Sequence, residues 1–162
     1  MTEIQRIRNE LALAHDGAPW HGPSARQVLS GVTAAQAAAR PIPGAHSIWE
    51  LVLHIIAWRG EVARRLKGGE PALPAEGDWP GVAASSEGAW ADALRRLEES
   101  HRCLAAAVSG FPEARLDQPV GLEPDPALGT VGSFYVMLHG ISQHDAYHSG
   151  QISLLKKALA TG

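Results

Sequence analysis

Apolar positions recur along this chain at intervals of three and four, and the alternation expected of half-buried strands is almost absent. Ile4, Ile7, Leu11 and Ala14 predict a helix from about Thr2 to Ala14, stopped by Asp16-Gly17. Ser24 is placed to cap a short helix through Leu29, and Thr33 with Gln36 forms a capping box for another, ending before Pro41. Ser47 and Glu50 make the clearest start signal, a capping box opening a helix to about Lys67. Gly68-Gly69 and Pro71 close it. Positions 48–58 are apolar nearly all round, which predicts a central helix. Glu70 to Gly81, rich in Pro, Gly and Ala, reads as a loop. Ser85 or Ser86 then opens a helix to about Val108, striped by Trp90, Leu94, Leu97 and Leu104. A long loop containing Pro119, Pro124, Pro126 and Gly129 is suited to cover a site mouth or simply to cross the surface. The last helix is predicted from about Val131 to Leu159, with Thr130 as its cap. Four main helices with long crossover loops predict an all-α fold, a four-helix bundle.

Composition narrows the function classes. The 162 residues suit one domain, residues 1–162, with enough apolar material (45%) for a core. A net charge of −3, with no basic stripe, argues against nucleic acid as a partner. Arg64, Arg65 and Lys67, Arg95 and Arg96, and Lys156 and Lys157 fall where a helix ends or faces solvent. No apolar run is long enough to span a bilayer, and Met1 to Ala14 lacks the apolar core of a signal peptide; a cytoplasmic protein is expected. The one cysteine, Cys103, excludes an internal disulfide and reads as a small core residue.

Candidate chemistry lies in the eight histidines. His144 and His148 are four apart on the last helix, so their rings project side by side at a spacing that can share a metal ion. The seam Met137, Ile141, His144, His148, Ile152, Leu155 and Leu159 turns both inward. His54 sits in Leu51-Val-Leu-His-Ile-Ile-Ala-Trp58, the most apolar segment of the chain. Three inward imidazoles on two central helices predict one divalent metal ion with coordination positions left open. The His144-Asp-Ala-Tyr-His148 stretch is not a zincin helix, because Asp145 stands where the general-base Glu belongs and no His, Asp or Glu follows His148. His139 is rotated away from His144, His101 is expected in solvent, and His15 and His46 flank helix ends. His21 reads as a turn residue that could reach the site from its loop. Gln151 is placed to contact a ligand, and Tyr147 and Asp145 to orient an imidazole. Gly140 and Gly150 suggest close helix approach.

Trp20-His-Gly-Pro-Ser24, Ala45-His-Ser-Ile-Trp-Glu-Leu-Val-Leu-His54 through Trp58, and Leu138-His-Gly-Ile-Ser-Gln-His-Asp-Ala-Tyr-His-Ser-Gly-Gln-Ile152 together resemble the DinB/YfiT-like superfamily. The resemblance implies a four-helix bundle and a metal triad at His54, His144 and His148. It also implies a metalloenzyme acting on a small-molecule substrate. Related families include thiol-dependent S-transferases, a thiol-dependent maleylpyruvate isomerase and metal-dependent hydrolases, so a low-molecular-weight thiol is a candidate partner. Zinc or nickel is the first expectation for the metal, then iron or manganese. A homodimer, and a non-catalytic metal-binding role in stress response, are the alternatives. Catalytic residues beyond the metal ligands are not assigned by the resemblance.

Overall fold

A computed structural model describes residues 1–160. Six α-helices follow one another: α1 (Glu3–Asp16), α2 (Ala25–Leu29), α3 (Ala34–Ala38), α4 (Ile48–Leu66), α5 (Glu87–Ser109) and α6 (Phe134–Ala160). Among the described residues there is no strand, only an isolated antiparallel bridge between Pro119 and Ser133. The starts follow the predicted chemistry. Thr2, Ser24, Thr33 and Ser47 each form a full capping box with a Gln or Glu three residues on, and Ser86 caps α5 through the amide of Ala89.

The last helix departs from expectation. Thr130 does not cap it, because its hydroxyl donates to the carbonyls of Glu123 and Asp125 and accepts from the Asp125 amide. That turn keeps residues 130–133 in the loop, and α6 begins at Phe134.

The four long helices form a ring: α4 packs on α5 and α6, and α1 packs on the same two. Short α2 and α3 fill the first crossover against the ends of their neighbours. The apolar core is split in two. One half gathers Val28, Ile48, Val52, Ile55, Trp90, Leu97, Ile152 and Leu155. The other gathers Ile7, Leu11, Val62, Leu104, Val108, Phe134, Leu138 and Ile141. A polar layer lies between them, and Arg59, with no exposed surface, is at its centre. Among the described residues no helix is long and apolar enough to cross a membrane.

Several surface expectations are corrected. Cys103 is exposed on α5 and donates to the Glu99 carboxylate, which raises its thiol pKa. Neither Gly140 nor Gly150 marks a close helix approach, since a Cβ at either would meet no atom within 4 Å. Arg65 lies in the last turn of α4 but is buried rather than facing solvent.

Candidate metal centre

His54 is carried by α4 and His144 and His148 by α6, two helices packed against each other. His54 and His148 are buried, and His144 keeps about a quarter of its side chain in solvent. The Nε2 of His144 lies 2.9 Å from that of His54 and 3.1 Å from that of His148. One nitrogen from each ring falls within 4.8 Å of the other two.

The opposite ring nitrogens decide what this convergence means. His54 Nδ1 is 2.6 Å from the Asp78 carbonyl oxygen, which can only accept, so Nδ1 carries the proton. His148 Nδ1 is 2.6 Å from Gln151 Oε1, again an acceptor. The Gln151 amide nitrogen donates to the Tyr147 hydroxyl at 3.2 Å, which fixes that orientation. His144 Nδ1 faces Asp145 Oδ1 at 3.7 Å, and neither atom has a closer partner. A neutral imidazole has one N–H. With Nδ1 protonated in His54 and His148, their Nε2 lone pairs both point at His144 Nε2, and a single N–H on His144 could satisfy only one of them. The lone pair left over repels its neighbours at this separation unless a cation lies among the three atoms. Nitrogens bound to one metal at about 2.0–2.1 Å are themselves roughly 3 Å apart, so the donor set fits a metal ion.

Protonation of His54 or His148 is disfavoured near neutral pH. Burial first, then the neighbouring rings of His144 and His54, outweigh the Gln151 hydrogen bond and push His148 down to about 4. Burial likewise lowers His54, with His144 adding to it, against the Asp78 hydrogen bond.

A family model described as the DinB superfamily matches residues 21–152. The chain belongs to the DinB superfamily. No curated protein and no solved structure matches it.

Around the three histidines of this DinB-superfamily chain are residues that the helical seam does not reveal. The buried stripe of α6 runs Phe134, Leu138, Ile141, Asp145, His148, Ile152, Leu155. Asp145, not His144, therefore holds the core position, and His144 stands at its edge. Asp145 is 1% exposed, and its Oδ2 accepts from Arg59 Nε at 2.9 Å and Nη2 at 2.7 Å. Complete burial alone would raise its pKa, but the Arg59 guanidinium overrides that and holds it below the ordinary carboxylate range. The spacing Ile48, Val52, Ile55, Arg59, Val62, Leu66 places Arg59 in the core stripe of α4, a signal available in the sequence.

The α4–α5 loop contributes more than a connection. Asp78 takes the His54 proton at its carbonyl and the Trp58 indole N–H at its carboxylate, 2.7 Å away. Trp79 stacks between His46 and His54, at centroid distances of 3.5 and 3.9 Å. This aromatic lid shields one side of His54. Asp78-Trp79, an acid and an aromatic inside a Pro/Gly loop, was the only hint of it in the sequence.

Other candidates lie elsewhere. His21 is exposed beside Trp20 in a groove between α1 and α6, away from the triad. His139 pairs with Glu10 at 3.0 Å. His101 is half-buried rather than solvated, because its ring stacks 4.1 Å from that of buried His15. The loop before α6 does border the site: Pro126, Gly129, Val131, Gly132 and Ser133 line a cleft of about 400 Å³ that reaches His144.

Proposed function

We propose that this DinB-superfamily chain is a metalloenzyme that binds one divalent transition metal, zinc or nickel, through His54, His144 and His148. We further propose that it transfers a low-molecular-weight thiol to a small electrophile. The observation that carries the first part is the convergence of three Nε2 atoms, with the opposite nitrogens of His54 and His148 committed to acceptors and that of His144 turned toward the Asp145 carboxylate. A bound metal would supply Lewis acidity, lowering the pKa of a thiol placed against it.

The chain's own residues do the rest. Asp78 and Gln151 hold His54 and His148 in one tautomer, and the Asp145 carboxylate lies 3.7 Å from His144 Nδ1, placed to favour a proton there. Trp79 and Trp58 limit water on the α4 side. The cleft at His144 is lined by Trp58, Val62, Val136, Met137 and Ile141 and carries no Asp or Glu. Those apolar walls suit the carbon skeletons of a thiol and its electrophile, and on that ground thiol transfer is preferred over hydrolysis. The sulfur–carbon bond forms as the bond to the leaving group breaks. That group departs with the electron pair, and the thiol proton passes to solvent.

Protein purified without an affinity tag, loaded with zinc or nickel and given a panel of small thiols with aryl halides and epoxides, should yield thioether products by mass spectrometry. His144→Ala should yield none above background. Equal product from both proteins would overturn the transferase reading. Ester or amide cleavage without thiol would favour hydrolysis. Metal binding with no turnover would leave the non-catalytic role.

A further inference from the structure

The cleft beside His144 also says what kind of molecule the site is shaped for. Its walls are apolar on both sides: Trp58 and Val62 from α4, Val136, Met137 and Ile141 from α6. Val131 and Val136 are 60% and 55% exposed, an unusual concession at the mouth of a cleft. One cation interrupts this surface. Arg65 Nε donates to Glu61 at 2.7 Å and Nη2 to the Ala72 carbonyl at 2.9 Å, but Nη1 makes no hydrogen bond among the described residues. Glu61 is shared with Arg64, so this carboxylate divides its oxygens between two guanidinium groups and reaches Arg65 only at Nε.

Gly140 is the second, independent observation. It sits inside α6, where glycine weakens the helix, and it lines the cleft. No neighbour requires it, since a Cβ there would meet nothing within 4 Å. A glycine with no packing reason, facing an apolar cleft, keeps volume free.

We infer that the cleft binds a small organic acid with an apolar body. The body lies against Trp58, Val136, Met137 and Ile141, the acid group takes Arg65 Nη1, and Gly140 leaves the room. This names the class of electrophile for the reaction proposed above and rests on that reading for its chemistry, though the binding does not need the metal.

The test uses 4-phenylbutyrate, its uncharged amide 4-phenylbutyramide, and acetate, titrated into the metal-free and zinc-loaded chain and followed by calorimetry and the Gly140 amide resonance. The acid should bind about tenfold more tightly than the amide or more, acetate should bind negligibly, and the preference should persist without zinc. Gly140→Leu should lose acid binding by about tenfold or more while melting no lower than wild type, because leucine fills the space and favours the helix. Arg65→Gln should equalise acid and amide. Equal binding of acid and amide by wild type would overturn the inference. So would undiminished binding by folded Gly140→Leu, or binding seen only with zinc, which would place the carboxylate on the metal. Acid binding by a chain that never takes up zinc would support the cleft and remove the metalloenzyme reading alone.

Discussion

Two groups of histidines lie in the polar layer of this bundle, and they obey opposite rules. On the α1–α5 side, His15 is 2% exposed, bonds to Glu98 at 3.1 Å, lies 3.4 Å from Arg59 and stacks on His101. Arg59 in turn reaches Asp145 and the Leu97 carbonyl. Donors there meet acceptors, and the cluster closes on itself. On the α4–α6 side, His54, His144 and His148 turn three ring nitrogens toward one another, and at least two of them are acceptors. Burial alone does not distinguish a ligand from a core histidine. The distinction comes from following each ring's other nitrogen to its partner.

The largest way to break the comparison is to open the closed cluster. Arg59→Ala leaves Asp145 as a buried, unpaired carboxylate and should destabilise the protein by about 3–5 kcal/mol in urea unfolding. A loss below about 1 kcal/mol would mean that water reaches Asp145 and the layer is not sealed.

The open cluster should instead gain from a ligand. Zinc at about one hundred times its dissociation constant should stabilise the wild type by roughly 2.7 kcal/mol, read as a shift in melting temperature. His54→Ala should remove that response. A zinc-induced shift retained in His54→Ala would place the metal elsewhere.

Acid should cost stability through both clusters in the metal-free protein. Burial first, then the positive charges of His15 and Arg59, push His101 down to about 4 from the ordinary 6.5. Between those values the unfolded chain holds the proton that the folded chain refuses. The stabilisation is therefore complete above about pH 6.5 and is lost as the pH falls toward about 4. His148 titrates in the same window with the same sign. His101→Gln should make denaturant stability less steep over this range, and an unchanged slope would contradict the buried stack.

The smallest effects belong to groups outside both clusters. His139→Gln and Cys103→Ser should each stay within about 0.5 kcal/mol of wild type and bind zinc unchanged. Loss of zinc binding by His139→Gln would overturn its exclusion from the site.

Much of this is legible in the amino-acid sequence. Capping residues at Thr33 and Ser47 and the glycines after Lys67 set helix limits locally, and local signals survive folding. The H-x-x-x-H spacing and the apolar run around His54 were enough to bring the three rings forward as candidates. What was not legible depended on contacts distant in sequence. His54 is oriented by a carbonyl 24 residues away, and Asp145 is neutralised by Arg59 from another helix 86 residues away. Thr130 reads as a cap because the loop carbonyls that compete for its hydroxyl are set by the fold of the loop, not by local spacing. The seam of α6 was misjudged by one position because an ionised Asp is not expected in a core, and only its buried Arg partner makes that tolerable.

The central claim is that three Nε2 atoms, and no others, share one metal. Long-range ¹⁵N–¹H correlation of the imidazoles during zinc titration tests it directly. At one equivalent the Nε2 resonances of His54, His144 and His148 should shift together to metal-bound positions, their Nδ1 atoms should remain protonated, and His15, His101 and His139 should not move. Three unshifted Nε2 signals at saturation, or a proton found on any one of them in the zinc-bound state, would contradict the account.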